Sequence, residues 1–214
     1  MIRNILIFGA QGSGKGTQAE LLAQTCGSMN ISIGNIFRQE VYKKTPLGIE
    51  AKKFTDEGKL VPDDVVNEIV ASRLKQKDIQ EHGVVLEGYP RNIVQADALE
   101  KIISLTDVVV IDISDDEAVN RISKRLTCVC GKTYNTDYNA SHVAGICDEC
   151  GALLFIRDDD KPDAIKHRLE TYHKETEPLF LMYEKKGILH RVNGEQKINE
   201  VYKAILKALN METP

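Results

Sequence analysis

No uninterrupted apolar run in this chain approaches the roughly 18 residues of a membrane-spanning helix, which excludes a protein built around such helices. Positive charge is also in short supply. The 28 Lys and Arg stand against 32 Asp and Glu, for a net charge of −4 and a pI near 5.8. That balance, with no basic stripe, argues against a nucleic-acid backbone as the main partner. There is no internal repeat and no low-complexity tract. Met1-Ile2-Arg3-Asn4 leads straight into a short strand pattern, leaving no apolar core for a signal peptide and no cleavage site. Cysteine is scarce outside one cluster: of five, four lie between Cys128 and Cys150. Such crowding suggests a metal site in a reducing compartment rather than a disulfide scaffold. The expectation is a cytoplasmic, monomeric protein without a membrane or nucleic-acid partner. Its 214 residues, 42% hydrophobic, suffice for one good core and small inserted subdomains.

What is present is led by Gly9-Ala10-Gln11-Gly12-Ser13-Gly14-Lys15-Gly16-Thr17, directly behind the apolar run Ile5–Phe8. A strand that ends in glycines and opens a helix leaves several backbone N–H groups pointing one way. With the helix dipole they form a cradle for phosphate oxygens, to which Lys15 adds a mobile positive charge. A P-loop has Ser or Thr directly after the Lys; here Gly16 intervenes before Thr17. The bland alternative, a glycine turn without a ligand, does not need the strand–loop–helix context found here. A nucleoside triphosphate or a close analogue is the expected ligand.

Strand and helix patterns alternate, which predicts a parallel sheet wrapped by helices. Apolar β-branched runs stand at Ile5–Phe8, Val84–Leu86 and Val108–Ile113, with a weaker one at Ile188–Val192. Helical patterns cover Thr17–Ala23, Asp63–Lys77 behind Pro62, Ile93–Ser104, Asp115–Leu126, Ala164–Lys186 and Ile198–Leu209. Two segments interrupt the scheme. Residues from about 34 to 61 read as short polar helices without a strand, and residues 127 to 160 hold the cysteines and few helical signals.

Glu87-Gly88-Tyr89-Pro90-Arg91 follows the Val84–Leu86 strand. Ligands of open α/β sheets bind beyond the carboxyl ends of the strands, so this loop should face the same crevice as the P-loop. A carboxylate there can hold the water shell of Mg²⁺, Gly88 lets backbone approach a ligand, and Arg91 offers a planar fork for a second phosphate. Alone, the segment reads equally well as a Gly-x-Pro turn that ends a strand.

Taken in order, Gly9-x-x-Gly12-Ser13-Gly14-Lys15-Gly16-Thr17-Gln18, Ile31 to Arg38, Gly58-Lys59-Leu60-Val61-Pro62-Asp63, Leu86 to Arg91 and Arg121-x-x-x-Arg125 resemble the adenylate kinases nearly end to end. The cysteine-bearing segment is similar to the long lid of the bacterial type. The resemblance implies a doubly wound P-loop α/β fold, a parallel sheet of about five strands flanked by helices. Residues 1–31, 62–125 and 161–214 would form the core, 32–61 an inserted helical AMP-binding subdomain, and 126–160 an inserted lid. It also implies reversible transfer of the γ-phosphoryl group of MgATP to AMP, giving two ADP, with Mg²⁺ as cofactor and Zn²⁺ in the lid.

The same resemblance assigns roles. Lys15, Arg91, Arg125, Arg157 and Arg168 would serve catalysis, aligning the transferring group and neutralising its charge. ATP would meet Gly12, Ser13, Gly14, Lys15, Gly16 and Thr17, then Arg121, Arg125, Thr133, Tyr134 and the Gln196 backbone. AMP would meet Ile33, Arg38, Lys59, Leu60 and Val61 on one side. On the other it would meet Gly88, Tyr89, Pro90, Arg91 and Gln95, with Arg157 and Arg168 reaching its phosphate. Glu87 would contact the Mg²⁺ waters. No general base is required. On composition alone the arginines read as a solvated helix face, and Gln95 as an exposed helix residue.

Departures from the family pattern are Gln11 for a P-loop Pro, Asn35 for Asp, Glu87 for Asp, and Ile33 for a Thr near the AMP base. Gln95 stands where adenylate kinases read adenine. A kinase of the same fold for UMP or CMP remains the alternative, and a P-loop ATPase with a partner-binding cysteine module a more distant one.

Cys130-x16-Cys147-x2-Cys150 has structural-zinc spacing, with Gly131 and Gly151 after the knuckles. The first knuckle is unusual: Thr127 stands where the resembling lids carry cysteine, and Cys128 comes one residue late. Three readings stay open. Zinc is held by Cys128, Cys130, Cys147 and Cys150; or by three thiolates with His142 or water; or the lid is metal-free. Cys26 reads as a helix-end core thiol, His167 and His173 as surface residues, and Asp158-Asp159-Asp160 as a solvated hinge, with Asp159 orienting a lid arginine as the alternative.

Overall fold

A computed structural model describes residues 2–55 and 61–212. Gly58, Lys59 and Leu60, three of the motif residues above, lie outside the described residues. The chain opens β1 (Arg3–Gly9), α1 (Lys15–Cys26) and β2 (Met29–Ser32). Helices α2 (Ile33–Tyr42), α3 (Pro46–Thr55), α4 (Asp63–Leu74) and α5 (Lys77–His82) precede β3 (Gly83–Glu87). Then come α6 (Ile93–Glu100), β4 (Asp107–Asp112), α7 (Asp115–Ser123), and the short β5 (Arg125–Thr127) and β6 (Thr133–Asn135). The chain closes with α8 (Pro162–Thr171), α9 (Pro178–Lys185), β7 (Leu189–Asn193) and α10 (Ile198–Ala208).

Five strands form one parallel sheet in the order β2-β3-β1-β4-β7. The central strands are covered on both faces, which is why they read as continuous apolar runs rather than as an alternating pattern. Leu6, Phe8, Leu86 and Val110 pack toward α2, α4, α6 and α9, whereas Ile5, Ile7, Val85 and Ile111 pack toward α1 and α10. β1 pairs with β3 on one side and β4 on the other. Its carboxyl end is therefore the point where the sheet's connections diverge, and the P-loop emerges there.

The fifth strand is Met29–Ser32, which the sequence runs did not pick out. It is an edge strand of four residues, only Ile31 of them buried, so the packing that marks a core strand is absent. Several helices are shorter than their patterns. The Asp63–Lys77 pattern ends at Leu74 and that of Ile93–Ser104 at Glu100. The Asp115–Leu126 pattern stops at Ser123 because Arg125 and Leu126 pair with Asn135 and Tyr134 in an antiparallel ladder. The Ala164–Lys186 pattern breaks into α8 and α9 around a wide turn at 172–176. There Glu177 N–H donates to Tyr172 O at 3.1 Å, and Pro178 has no N–H to continue the ladder. Within 34–55 two helices stand without an intervening strand, as the sequence pattern predicts.

Candidate active site

Helix α1 begins without a side-chain cap and with no acidic residue in its first turn. Its N-cap Gly14 sits at φ 84°, the left-handed region that glycine enters without strain. Gly12, at φ 82°, passes so close to α7 that a Cβ would lie 2.9 Å from the Ala118 carbonyl. The first-turn N–H groups thus face outward with no protein acceptor from a cap, the arrangement that binds phosphate oxygens.

Lys15 follows, its Nζ donating to Ala10 O at 3.3 Å. Burial of the ammonium, aided by the charges of Arg168, Arg125 and Arg91 and opposed by Glu87, pushes its pKa down to about 7. Burial likewise pushes the Arg38 guanidinium down to about 10 and lowers Arg91, Arg157 and Arg168. So many enclosed cations destabilise one another, and a polyanion placed among them relieves that repulsion.

The arginines are held by specific partners. Arg125 donates through Nε to Asp160 Oδ2 at 2.9 Å and through Nη2 to the other carboxylate oxygen. Arg168 Nη1 reaches Asp160 Oδ1 at 3.3 Å, Asp159 O at 2.9 Å and Asp159 Oδ2 at 2.9 Å. The solvated-hinge reading of 158–160 is corrected by this geometry: the Asp160 side chain is fully buried, and only Asp158 is well exposed. Two guanidiniums facing a cleft need anchored counter-charge behind them, and these carboxylates supply it. Arg157 donates through Nε to Thr127 Oγ1 at 2.7 Å, and Arg38 through Nη2 to Asn35 Oδ1.

Beyond β3, Arg91 Nε donates to Gly88 O at 2.9 Å, and its backbone carbonyl accepts from Thr176 at 2.8 Å. Tyr89 and Pro90 are buried here, the Tyr89 hydroxyl donating to Asn67 Oδ1 at 2.7 Å. Glu87, paired in register with Ile7 and Ser32, is 8% exposed and accepts from the Ser32 hydroxyl. That leaves a buried carboxylate whose charge acts on Lys15. Gln95 is buried rather than exposed, its amide spanning Arg91 N and Asp63. Ile33 and Val61 belong to the apolar core beneath.

On the other flank, Arg121 lies 11% exposed. It donates to Glu117 at 2.6 Å and Gly194 O at 2.9 Å, approaches Gly12 O at 3.5 Å, and stacks 4.8 Å over Tyr138. It thereby ties the P-loop to the loop that carries exposed Gln196. Thr133 is half-buried in β6. Tyr134 is buried, its hydroxyl bonding Cys147 Sγ at 3.4 Å and accepting from Asp148 N at 2.8 Å.

The four cysteine sulfurs all lie within 4.8 Å of one another, Cys128 and Cys150 at 3.3 Å and Cys130 and Cys147 at 3.7 Å. A tetrahedral ion with Zn–S of about 2.3 Å would set sulfurs about 3.8 Å apart. The short knuckle is accommodated by the backbone. Gly131 N–H returns to Cys128 O at 2.9 Å, just as Gly151 N–H returns to Cys147 O at 2.9 Å, so the first turn is one residue tighter and still presents both thiols. The Tyr134 hydroxyl holds the Cys147 thiol down to about 6, whereas burial pushes the Cys128 and Cys130 thiols up, so forming four thiolates takes the charge of a bound ion. His142 is 89% exposed and paired with Asp148 at 3.0 Å. The donor set fits Zn²⁺ in a closed, four-thiolate site of structural type.

The match to known proteins agrees with this geometry. The family model described as adenylate kinase matches residues 7–188. The chain belongs to the adenylate kinase family. An adenylate kinase of Lachnospira eligens is 44% identical over 211 residues, covering 96% of this chain and 99% of that protein. Those of Methanothrix thermoacetophila and Limosilactobacillus reuteri are 45% and 46% identical, with 97% and 96% of this chain covered and 98% of each relative. The residues that sequence reasoning missed in this adenylate kinase are the hidden acceptors Asp63, Asp160 and the Thr127 hydroxyl, and the donor Ser32, whose hydroxyl bonds Glu87. Their signal was available only as a general need: every buried guanidinium or amide requires a partner.

Proposed function

We propose the following division of labour for reversible phosphoryl transfer from MgATP to AMP, giving two ADP. The α1 N-terminus, with Gly12 to Thr17, cradles the phosphates of ATP, and Lys15 neutralises the β- and γ-oxygens. Arg121, Thr133, the Tyr134 backbone and the Gln196 backbone flank the ATP base and sugar. Arg38 and Arg91 grip the AMP phosphate, while Ile33, Val61, Gly88, Tyr89, Pro90 and Gln95 meet the nucleoside, to which the sequence resemblance also assigns Lys59 and Leu60. Arg125, Arg157 and Arg168 stabilise the moving group, held in place by Asp160, Asp159 and Thr127. Glu87 would hold the waters of a Mg²⁺ bound with ATP, which would supply charge neutralisation at the phosphates. Because transfer needs alignment and charge neutralisation rather than proton abstraction, no side chain is assigned as a base.

Residues 1–31, 62–125 and 161–214 act as the core, 32–61 as the AMP-binding part, and 126–160 as a lid that excludes water, on a monomeric chain working in the cytoplasm. The observation that carries this reading is the Lys15 ammonium enclosed at the α1 N-terminus among Arg91, Arg125 and Arg168. Offering AMP, UMP and CMP with MgATP tests it: ADP formation is expected with AMP at the highest kcat/KM. Faster turnover of UMP or CMP under equal conditions would reject the base assignment.

A further inference from the structure

Gln95 lies in the first turn of α6, 2% exposed, and its side-chain amide has two protein partners. Oε1 accepts from the Arg91 backbone N–H at 2.8 Å, and Nε2 donates to Asp63 Oδ1 at 2.7 Å. A primary amide has two N–H donors and two oxygen lone pairs. A backbone N–H can only donate and a carboxylate can only accept, so these partners fix which end of the amide is which. Reversing it would set NH₂ against N–H and carbonyl against carboxylate. One N–H and one lone pair remain for a ligand.

That remaining pair complements a base edge offering a ring-nitrogen acceptor beside an exocyclic N–H donor, the edge of a 6-aminopurine. It opposes the 6-oxopurine edge, where a ring N–H stands beside a carbonyl. Asp63 is itself anchored: it opens α4 behind Pro62, and its two oxygens accept from Asn92 Nδ2 at 3.0 and 3.1 Å. Asn92 also caps α6, its Oδ1 accepting from Gln95 N at 2.9 Å. We propose that Asp63 is a specificity-positioning residue, whose acceptor-only carboxylate locks the Gln95 amide in the orientation that selects a 6-aminopurine monophosphate over its 6-oxo counterpart. The inference rests on Gln95 being the base contact named above.

The test is the ratio of kcat/KM for AMP to that for IMP, measured on the full chain carrying Asp63→Asn, Asp63→Ser or Asp63→Glu. Asn and Ser both donate and accept, so they remove the acceptor-only constraint on Nε2 and leave the Arg91 N–H as the one remaining restraint on the amide; Glu only accepts and keeps both. The ratio should fall roughly tenfold or more with Asn and Ser, through KM for AMP, and stay near that of the unaltered protein with Glu. Meanwhile kcat at saturating AMP and KM for MgATP should stay within about threefold. An unchanged ratio with Asn and Ser overturns the assignment. So does an equal loss in all three variants, which would mark Asp63 as a structural contact only. If the Asn variant fails to fold, Ser against Glu decides. Gln95→Ala separates the two readings: an unaltered ratio there removes Gln95 from the base, whereas a collapse there with no change in Asp63→Asn rejects the lock alone.

Discussion

Arg125 and Asp160 form a two-point ion pair in which the carboxylate is fully buried and the guanidinium is 17% exposed. Arg168 shares the same carboxylate at 3.3 Å. One acid thus anchors two cations, and Arg168 is further held by Asp159 at 2.9 Å.

Replacing that acid by Asp160→Asn should be severe. Two enclosed guanidiniums would lose their shared counter-charge, a break that costs about 3–5 kcal/mol in buried pairs. We expect a lower melting temperature and a fall in kcat, both measurable on the purified variant. Unchanged stability together with unchanged kcat would show that Asp160 anchors neither arginine.

Arg91→Lys exchanges a planar fork for a point charge and abandons the bond to Gly88 O. The expected loss is about 2–4 kcal/mol in kcat/KM for AMP, with the fold intact by circular dichroism. A value equal to that of the unaltered enzyme would remove Arg91 from the phosphate site.

Lys15 predicts a proton-linked binding step. Its pKa is held near 7, below the unfolded value of about 10.4. The unfolded chain therefore binds more protons between those limits, so this group's contribution to stability rises with pH from about 7 to about 10. A bound polyanion favours the charged ammonium, so nucleotide binding near pH 8 should take up a fraction of a proton. Calorimetry in buffers of different ionisation enthalpy reads this directly, and the uptake should vanish in Lys15→Met. Buffer-independent binding heats at pH 8 would contradict the lowered pKa.

The four-thiolate geometry makes the lid metal testable by single substitutions. Protein purified without chelators should carry close to one Zn²⁺ per chain by elemental analysis. Cys128→Ser and Cys147→Ser should each lower metal content and melting temperature, because the cluster packs with only a few apolar neighbours such as Leu126 and Leu154. Metal retained in Cys128→Ser but lost in Cys147→Ser would make Cys128 a bystander.

The sequence by itself determined the sheet's central strands and the P-loop, because each has a local cause. Runs such as Val84–Leu86 are apolar throughout since both faces are covered, and Gly12 and Gly14 mark φ values that other residues avoid. Edge strand β2 and the wide turn at 172–176 were not legible, being set by pairing with β3 and by the start of α9 at Pro178. Neither was the place of Cys128, whose sulfur a turn one residue tighter brings among those of Cys130, Cys147 and Cys150. The tertiary structure alone decided which carboxylates stand behind which arginines. Asp160 and Arg125 are 35 residues apart, as Asp63 and Gln95 are 32 apart. A buried polar group takes its partner from whatever the fold brings within about 3 Å, and no local pattern encodes that proximity.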